Sequence, residues 1–339
     1  MIVERLAAQL LSGPPASTPE DVVRRLLAVQ GQDARGARLS IRSRSSGLTA
    51  TDVDAALTDR RSLVISWLNR GTLHLVSAED YWWLHALTTP QLVTGNARRL
   101  GQEGVSPAQA DLGVAVVVEA VSEGPQTRSR LRELLDRAGV PTQRQALVHV
   151  LMAATLRGHV VRGPVHDGDH AFVAVRDWLG EPPAPLDQDE ALARLARRYL
   201  AGHGPADARD LARWAGITLG AARRGLDGLA EPGKEAAPGS VPELPPPRLL
   251  GAFDPLLLGW ASREPIVDRH KQLVTTNGLF RPFALVDGRA VATWSLAGGA
   301  LFIRALEQIS PATERALHAD ALGVLRYLGL PERPAVMAP

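Results

Sequence analysis

The sequence predicts a mainly helical chain with β structure, built from repeated helical modules and ending in a strand-rich segment. Three observations predict it. Amphipathic helical runs lead into a β-hairpin, and that order of elements returns further along the chain. Strand patterning dominates only after residue 248, and one amphipathic helix follows it. The 339 residues exceed one small module, since domains average about 100–200 residues. The 45% apolar content supplies a large core.

The first module spans 1–100. Pro19 and Glu20 open a helix that keeps Val22, Val23, Leu26, Leu27 and Val29 on one face, and Thr51–Leu57 is a second helix. Leu63–Leu68 and Thr72–Val76 read as strands separated by Asn69-Arg70-Gly71, residues suited to a turn. Helices followed by such a hairpin outline a winged helix, a helix-turn-helix with a β-wing. The second module spans 101–180. Helices Ala108–Val121, Arg128–Ala138 and Arg144–Leu156 precede His159–Arg162, a polar loop Gly163–Asp169, and Ala171–Val175. The third spans 181–247, with helices Glu190–Leu200, Asp207–Ala215 and Leu219–Leu229 and Thr218 as a helix cap. Its wing is lost in the Pro/Gly-rich stretch Glu231–Pro247, which reads as a mobile linker or a strand-bearing loop. Over 248–339, Leu279–Val286 and Ala290–Leu296 flank Asp287-Gly288, a strong hairpin signal. Ala300–Arg304 adds a strand, which suggests a small β-barrel or curled sheet, and helix Thr313–Leu328 closes it.

Composition excludes several chemistries. There are 38 basic and 36 acidic side chains, and only Lys234 and Lys271 among the basic ones are lysine, leaving 36 arginines. GC-rich coding produces the same excess of arginine, so the excess permits nucleic-acid binding without proving it. The absence of cysteine rules out disulfides, thiol nucleophiles, iron–sulfur clusters and zinc–thiolate sites. Two lysines leave little for Schiff-base chemistry. No run of 18 apolar residues and no signal-type start are present, so the expectation is a cytoplasmic protein with no membrane partner.

One local run is chemically distinctive: Val29-Gln30-Gly31-Gln32-Asp33. A turn can aim the Gln30 and Gln32 amides at one point and hold a water between them. The amides could equally cap neighbouring backbone, and Asp33 is either a base or the N-cap of the following helix. Arg35, Arg38 and Arg42, spaced three and four apart, share a helical face and with Arg44 could track phosphates. Arg128, Arg130 and Arg144 lie at helix starts, where recognition helices meet DNA. His166, Asp167, Asp169 and His170 have metal-ligand residue types but read as solvated turn residues. Trp82-Trp83 read as core, and Asp254 with Arg263 as a structural pair.

Several segments in order resemble the winged-helix DNA glycosylases typified by AlkZ and YcaQ. They are Val29–Asp33, Arg70-Gly71-Thr72-Leu73-His74-Leu75 with Ala78-Glu79-Asp80, Tyr199–Trp214, Phe253–Gly259, Asn277–Pro282, Val286–Arg289 and Thr293-Trp294. The resemblance implies three tandem winged helices and a β-barrel, C-shaped around DNA. The Gln-x-Gln form matches the AlkZ-like branch, although Gly31 stands where an apolar residue is usual. It implies that Gln30 and Gln32 position the water that attacks C1′ of an alkylated nucleotide. Arg70, Thr72 and His74 of the family motif are expected DNA contacts, although His74 also reads as a hydrogen-bonded core histidine, and the family analogy suggests that the hairpin Asp287, Gly288 and Arg289 probes a DNA groove. The expected partner is double-stranded DNA carrying alkylated purines, bulky adducts or interstrand crosslinks, bound by a monomer in repair or self-resistance. No cofactor and no metal are expected. Neutral amides are poor bases and supply no acid, so only a cationic leaving group such as N7-alkylguanine suits them. Lys234 and Lys271 lie far along the chain from the glutamines, which implies a monofunctional enzyme. A non-catalytic winged-helix DNA-binding regulator and a protein that sequesters an alkylating drug are the rival readings.

Overall fold

A computed structural model describes residues 1–166, 168–229, 243–275 and 278–338. The expected segmentation follows chain order, whereas packing joins the chain's two ends. One compact unit holds Met1–Val53 with Leu192–Pro339, and the other holds Asp54–Ala191.

In the Asp54–Ala191 unit, strands Thr72–Ser77, Leu63–Leu68, Val160–His166 and Asp169–Ala174 lie side by side in that order. The first two form the expected hairpin, with Leu68 opposite Thr72 across Asn69-Arg70-Gly71. The last two pair antiparallel, and Ile65 opposite Arg162 joins the two hairpins into one sheet. Gly163–His166 were expected in a polar loop but continue the strand. Gly163 is there for close packing: a Cβ would lie 2.7 Å from the Trp178 indole nitrogen. Helix Pro107–Ser122 starts at a capping box in which Ser106 and Gln109 satisfy each other's backbone N–H groups. Helix Arg128–Arg137 is capped by Thr127, and helix Ala146–Leu156 begins two residues after Arg144. Val117, Leu131, Leu135, Leu147, Val150 and Leu151 bury the faces of these helices against Trp67 and Phe172.

In the other unit the strands run in the order Val336–Ala338, Ala300–Ala305, Arg289–Ala297, Phe283–Val286, Arg248–Leu250. The expected barrel does not form. Val336–Ala338 pairs only with Ala300–Ala305 and Arg248–Leu250 only with Phe283–Val286, so among the described residues the sheet stays open. Its two faces serve two cores, as the period-two alternation of a strand demands. Phe283 and Leu285 pack with Leu6, Leu11, Leu256 and Trp260. Ala284 and Val286 pack with Leu317, Ala321 and Val324 of helix Pro311–Tyr327. The Asp287-Gly288 turn is where the pattern placed it, with φ of 48° and 78°, the geometry of a tight hairpin. Thr218 caps helix Leu219–Asp227 as expected. Of the stretch Glu231–Pro247, expected as a linker or strand-bearing loop, 231–242 lie outside the described residues and 243–247 form no strand. Among the described residues no single helix is long and apolar enough to cross a membrane.

Candidate active site

Val29–Gln30 is a short strand, and the chain then turns at Gly31 into helix Ala34–Arg42. Asp33 caps that helix by accepting the Gly36 N–H, which decides between the two expectations for this residue: its carboxylate is engaged as a cap. Capping fixes the entry to the helix and hence the place of Gln32. A further residue positions the element, and the sequence reading missed it. A Cβ on Gly36 would lie 2.3 Å from the Ala252 carbonyl oxygen, so only glycine lets the helix approach that backbone. A glycine inside the first turn of a helix was the available signal.

The turn brings the two amides together. Gln30 is buried and Gln32 exposed, and the Gln30 amide nitrogen donates to Gln32 Oε1. Gln30 Oε1 is buried with no hydrogen-bond partner. A buried, unsatisfied carbonyl is costly, and beside an exposed amide it offers an acceptor to a water that enters from solvent. Gln30 does not spend that oxygen on capping backbone.

The arginines of this segment separate into two kinds. Arg35 is exposed, and Arg38 is half-buried with Nη1 donating to the Ala34 carbonyl at 2.8 Å. Arg42 turns inward and forms a two-pronged pair with Asp320, at 2.9 and 2.6 Å. Arg44 is fully buried, paired at 2.9 and 2.8 Å with Asp254 and bonded at 2.8 Å to Gln9. Arg42 and Arg44 therefore leave the set of expected phosphate contacts, because their donors are used inside the protein. The expected Asp254–Arg263 pair is likewise replaced. Asp254 holds Arg44, while Arg263 donates to the Leu257 carbonyl and lies 4.9 Å from the Phe280 ring centroid.

In the Asp54–Ala191 unit the Arg-Gly-Thr-Leu-His run is largely enclosed. Arg70 is half-buried, Thr72 Oγ1 is buried, and His74 is buried with Nδ1 2.9 Å from the Thr72 carbonyl oxygen. That contact makes Nδ1 the donor. Burial, with Arg70 nearby, pushes the imidazole pKa down to about 3, so His74 is neutral near pH 7 and brings no charge to a phosphate. Arg130 is exposed and bonds Glu133 at 3.1 Å. Arg144 is exposed, 3.6 Å from Glu103, at a positive φ of 53° ahead of its helix. Arg128 occupies the first position of its helix, half-buried. Trp83 donates to Asp80 at 2.9 Å from a buried position, and Trp82 packs edge-on against Tyr81, so both act as core side chains. His166 and Asp169 face each other across the hairpin, and Asp167 lies outside the described residues. Among the described residues no group of three His, Asp or Glu side chains converges on a metal position.

At the C-terminal hairpin, Arg289 reaches Asp268 at 3.5 Å and Glu307 at 3.6 Å. Hydrogen bonding by His270, with Arg289 and Arg269 nearby, holds the Glu307 carboxyl below its ordinary range. These ion pairs anchor the base of the turn; Asp287 is exposed at its tip, whereas Gly288, expected as a DNA contact, is buried, and a Cβ there would lie 3.0 Å from the Ile2 side chain. Lys271 is exposed in the short turn Lys271–Leu273, and Lys234 lies outside the described residues. The Tyr199–Trp214 and Phe253–Gly259 segments build a packed cluster. Tyr199 donates to the Gly259 carbonyl at 2.6 Å and stacks on His203 at 4.8 Å, and Trp260 donates to the His203 carbonyl at 2.9 Å.

Comparison with known proteins supplies the family. Residues 23–327 match the family model described as DNA glycosylase AlkZ-like. Among solved structures the chain is similar to the DNA glycosylase AlkZ of Streptomyces sahachiroi. The identity is 23%, the TM-score is 0.79, and the match covers 99% of this chain and 98% of that one. At that identity the structural likeness concerns the fold. The curated protein sequences give no match.

Proposed function

Because the chain belongs to the AlkZ-like DNA glycosylase family, we propose that it excises cationic N7-alkylguanine from duplex DNA by hydrolysis, with Gln30 and Gln32 positioning the water. The observation that carries this reading is the amide pair, in which Gln30 donates to Gln32 and keeps a buried, unused carbonyl oxygen. A water donating to Gln30 Oε1 and held beside Gln32 keeps a lone pair free for C1′. That is catalysis by placement.

The chemistry follows from what an amide cannot do. Neither glutamine takes a proton from water nor gives one to a departing base. The C1′–N9 bond therefore breaks with its electrons passing to the purine, which leaves neutral because alkylation had made it cationic. The water oxygen bonds C1′ of the oxocarbenium-like species, its extra proton passes to solvent, and an intact abasic site remains. Uracil and unmodified purines lack such a leaving group and are poor substrates. With no amine nucleophile at the glutamine pair among the described residues, the strand is left uncut.

On this reading the helical stretches of 1–100, 101–180 and 181–247 act as winged-helix modules on the duplex, with 248–339 presenting Asp287 at its hairpin turn. Arg35, Arg38, Arg128, Arg130 and Arg144 serve as phosphate contacts, and a monomer works on genomic DNA in the cytoplasm. Bulky adducts and crosslinks fit an open site better than a deep pocket.

A duplex bearing one 7-methylguanine or a bulky N7 adduct tests the proposal, with abasic sites revealed by alkaline cleavage. The wild type is expected to release the base without nicking the strand. Gln30→Ala and Gln32→Ala are each expected to lose roughly 100-fold or more in kcat, the scale of a misplaced reactant, with duplex affinity unchanged. No release on any N7 adduct overturns the enzyme assignment for this substrate class. Full activity in both variants overturns the role of the glutamines.

A further inference from the structure

Arg162 was not singled out by its place in the sequence, yet it is electrostatically unusual. It lies in strand Val160–His166 opposite Phe172, and its guanidinium is 4.7 Å from the Phe172 ring centroid and 5.2 Å from that of Trp67. Stacking engages the faces of a guanidinium and leaves its in-plane N–H donors for other partners. Among the described residues those partners are missing. The Nε atoms of Arg162 and Arg128 are both buried without a hydrogen-bond partner. Gln126 exchanges two backbone hydrogen bonds, 2.9 and 2.8 Å, with Phe172, the residue opposite Arg162, and so brings Arg128, two residues on, to the strand pair that carries Arg162. Burial, partly opposed by Asp169 and with Arg128 adding repulsion, brings the Arg162 pKa down to about 10. Arg162 is therefore charged near pH 7.

The other buried arginines show what a structural role looks like in this chain. Arg44 also has a buried Nε without a partner, so the difference lies at the terminal nitrogens. Arg44 has Asp254 and Arg42 has Asp320, each pair held by two hydrogen bonds. Arg128 and Arg162 have no such carboxylate among the described residues, and Arg128 also occupies the first turn of a helix, where the backbone dipole disfavours a cation. Two half-desolvated cations, of which only Arg162 is eased by a carboxylate (Asp169) and neither is hydrogen-bonded to one among the described residues, raise the energy of the free protein. An external oxyanion relieves that cost, and the planar fork of arginine suits a phosphate group.

We propose that Arg162 and Arg128 together form a binding site for a phosphodiester oxyanion of the DNA backbone, a reading that rests on the DNA-glycosylase function proposed above. The Trp67 and Phe172 rings hold the Arg162 guanidinium in place, and Arg128 supplies the second cation. The site carries no base information and serves to position the duplex.

The test is fluorescence anisotropy with a labelled, undamaged duplex over a range of salt, using the full chain. Arg162→Gln is expected to weaken binding about tenfold, the loss of one charge-assisted contact. It is also expected to lower the slope of log K against log salt by about one. Arg162→Lys keeps the charge and is expected to keep the slope. Arg128→Gln, at a half-buried helix position, reproduces the slope change and serves where Arg162→Gln fails to fold. Affinity and slope unchanged in folded variants overturn the site. Inorganic phosphate that raises the thermal midpoint of the wild type but not of Arg162→Gln, with duplex binding unchanged, overturns the DNA source in favour of a small anion. Because binding is read on undamaged DNA, the result is independent of base release: a wild type that excises nothing but loses affinity through Arg162→Gln keeps this site and loses only the glycosylase proposal.

Discussion

Arg44 and Gln30 represent opposite uses of a buried polar side chain. Arg44 satisfies its charge against Asp254, Gln9, Ser40 and Ser43, while Gln30 leaves an oxygen open. The first arrangement stabilises and the second waits for a ligand. Breaking the buried pair by Arg44→Met leaves Asp254 charged and uncompensated, and is expected to cost about 3–5 kcal/mol in urea unfolding. Adding Asp254→Leu removes the stranded charge and is expected to regain part of that loss, short of the cap that Asp254 gives Leu256. A double variant no more stable than Arg44→Met would contradict the account. The sequence could not reveal this pair. Spacing places Arg42 and Arg44 near a helical face, but their partners stand 278 and 210 residues away, and nothing local distinguishes an arginine facing DNA from one facing a distant carboxylate. Arg162 was missed for the same reason, since its character comes from rings brought to it by other strands. Gln30 and Gln32 were legible because the two amides stand two residues apart and a single turn joins them.

At the scale of the element, helix Ala34–Arg42 begins directly after the glutamine pair, and two devices fix it: the Asp33 cap and the close approach of Gly36 to Ala252. Asp33→Asn preserves an N-cap acceptor and is expected to keep activity within a few-fold, whereas Asp33→Ala is expected to lose about 1 kcal/mol of stability. A collapse of kcat in Asp33→Asn with the fold intact would reveal a base where the structure shows a cap. Gly36→Ala forces its methyl against backbone, which cannot swing aside, and is expected to cost about 1–3 kcal/mol. Because the shifted helix takes Asp33 and Gln32 with it, kcat on an N7-methylguanine duplex is expected to fall more than duplex affinity does. Elements with their own start signals were the legible ones: Thr18, Ser106, Thr127, Thr218 and Ser310 each cap the helix that follows. The open C-terminal sheet was not legible as open, because strand patterns report alternation and leave the pairing of the outermost strands undetermined. Gly163 was read as loop for a related reason: a glycine that makes room for Trp178 has the same local appearance as one that makes a turn.

For the whole molecule, each compact unit contains a fully enclosed histidine that stays neutral, and this sets the response to acid. Burial pushes His203, stacked on Tyr199, down to about 3, and does the same to His74 in the other unit. Unfolding restores the ordinary pKa of about 6.5. Between those values the unfolded chain binds a proton that the folded chain refuses, so stability rises with pH across the window and falls as pH drops from about 6.5 toward 3. The linkage slope is about 1.4 kcal/mol per pH unit for each histidine. Urea unfolding followed at pH 7 and pH 5 is therefore expected to show a clear loss of midpoint at the lower pH. His203→Gln removes one titrating group from the unit that holds Gln30 and Gln32. It is expected to be less stable at pH 7, because it loses the stacking on Tyr199, yet to show a shallower decline with acid. Equal midpoints for the wild type at the two pH values, or an undiminished acid slope in His203→Gln, would remove this histidine from the account of acid sensitivity.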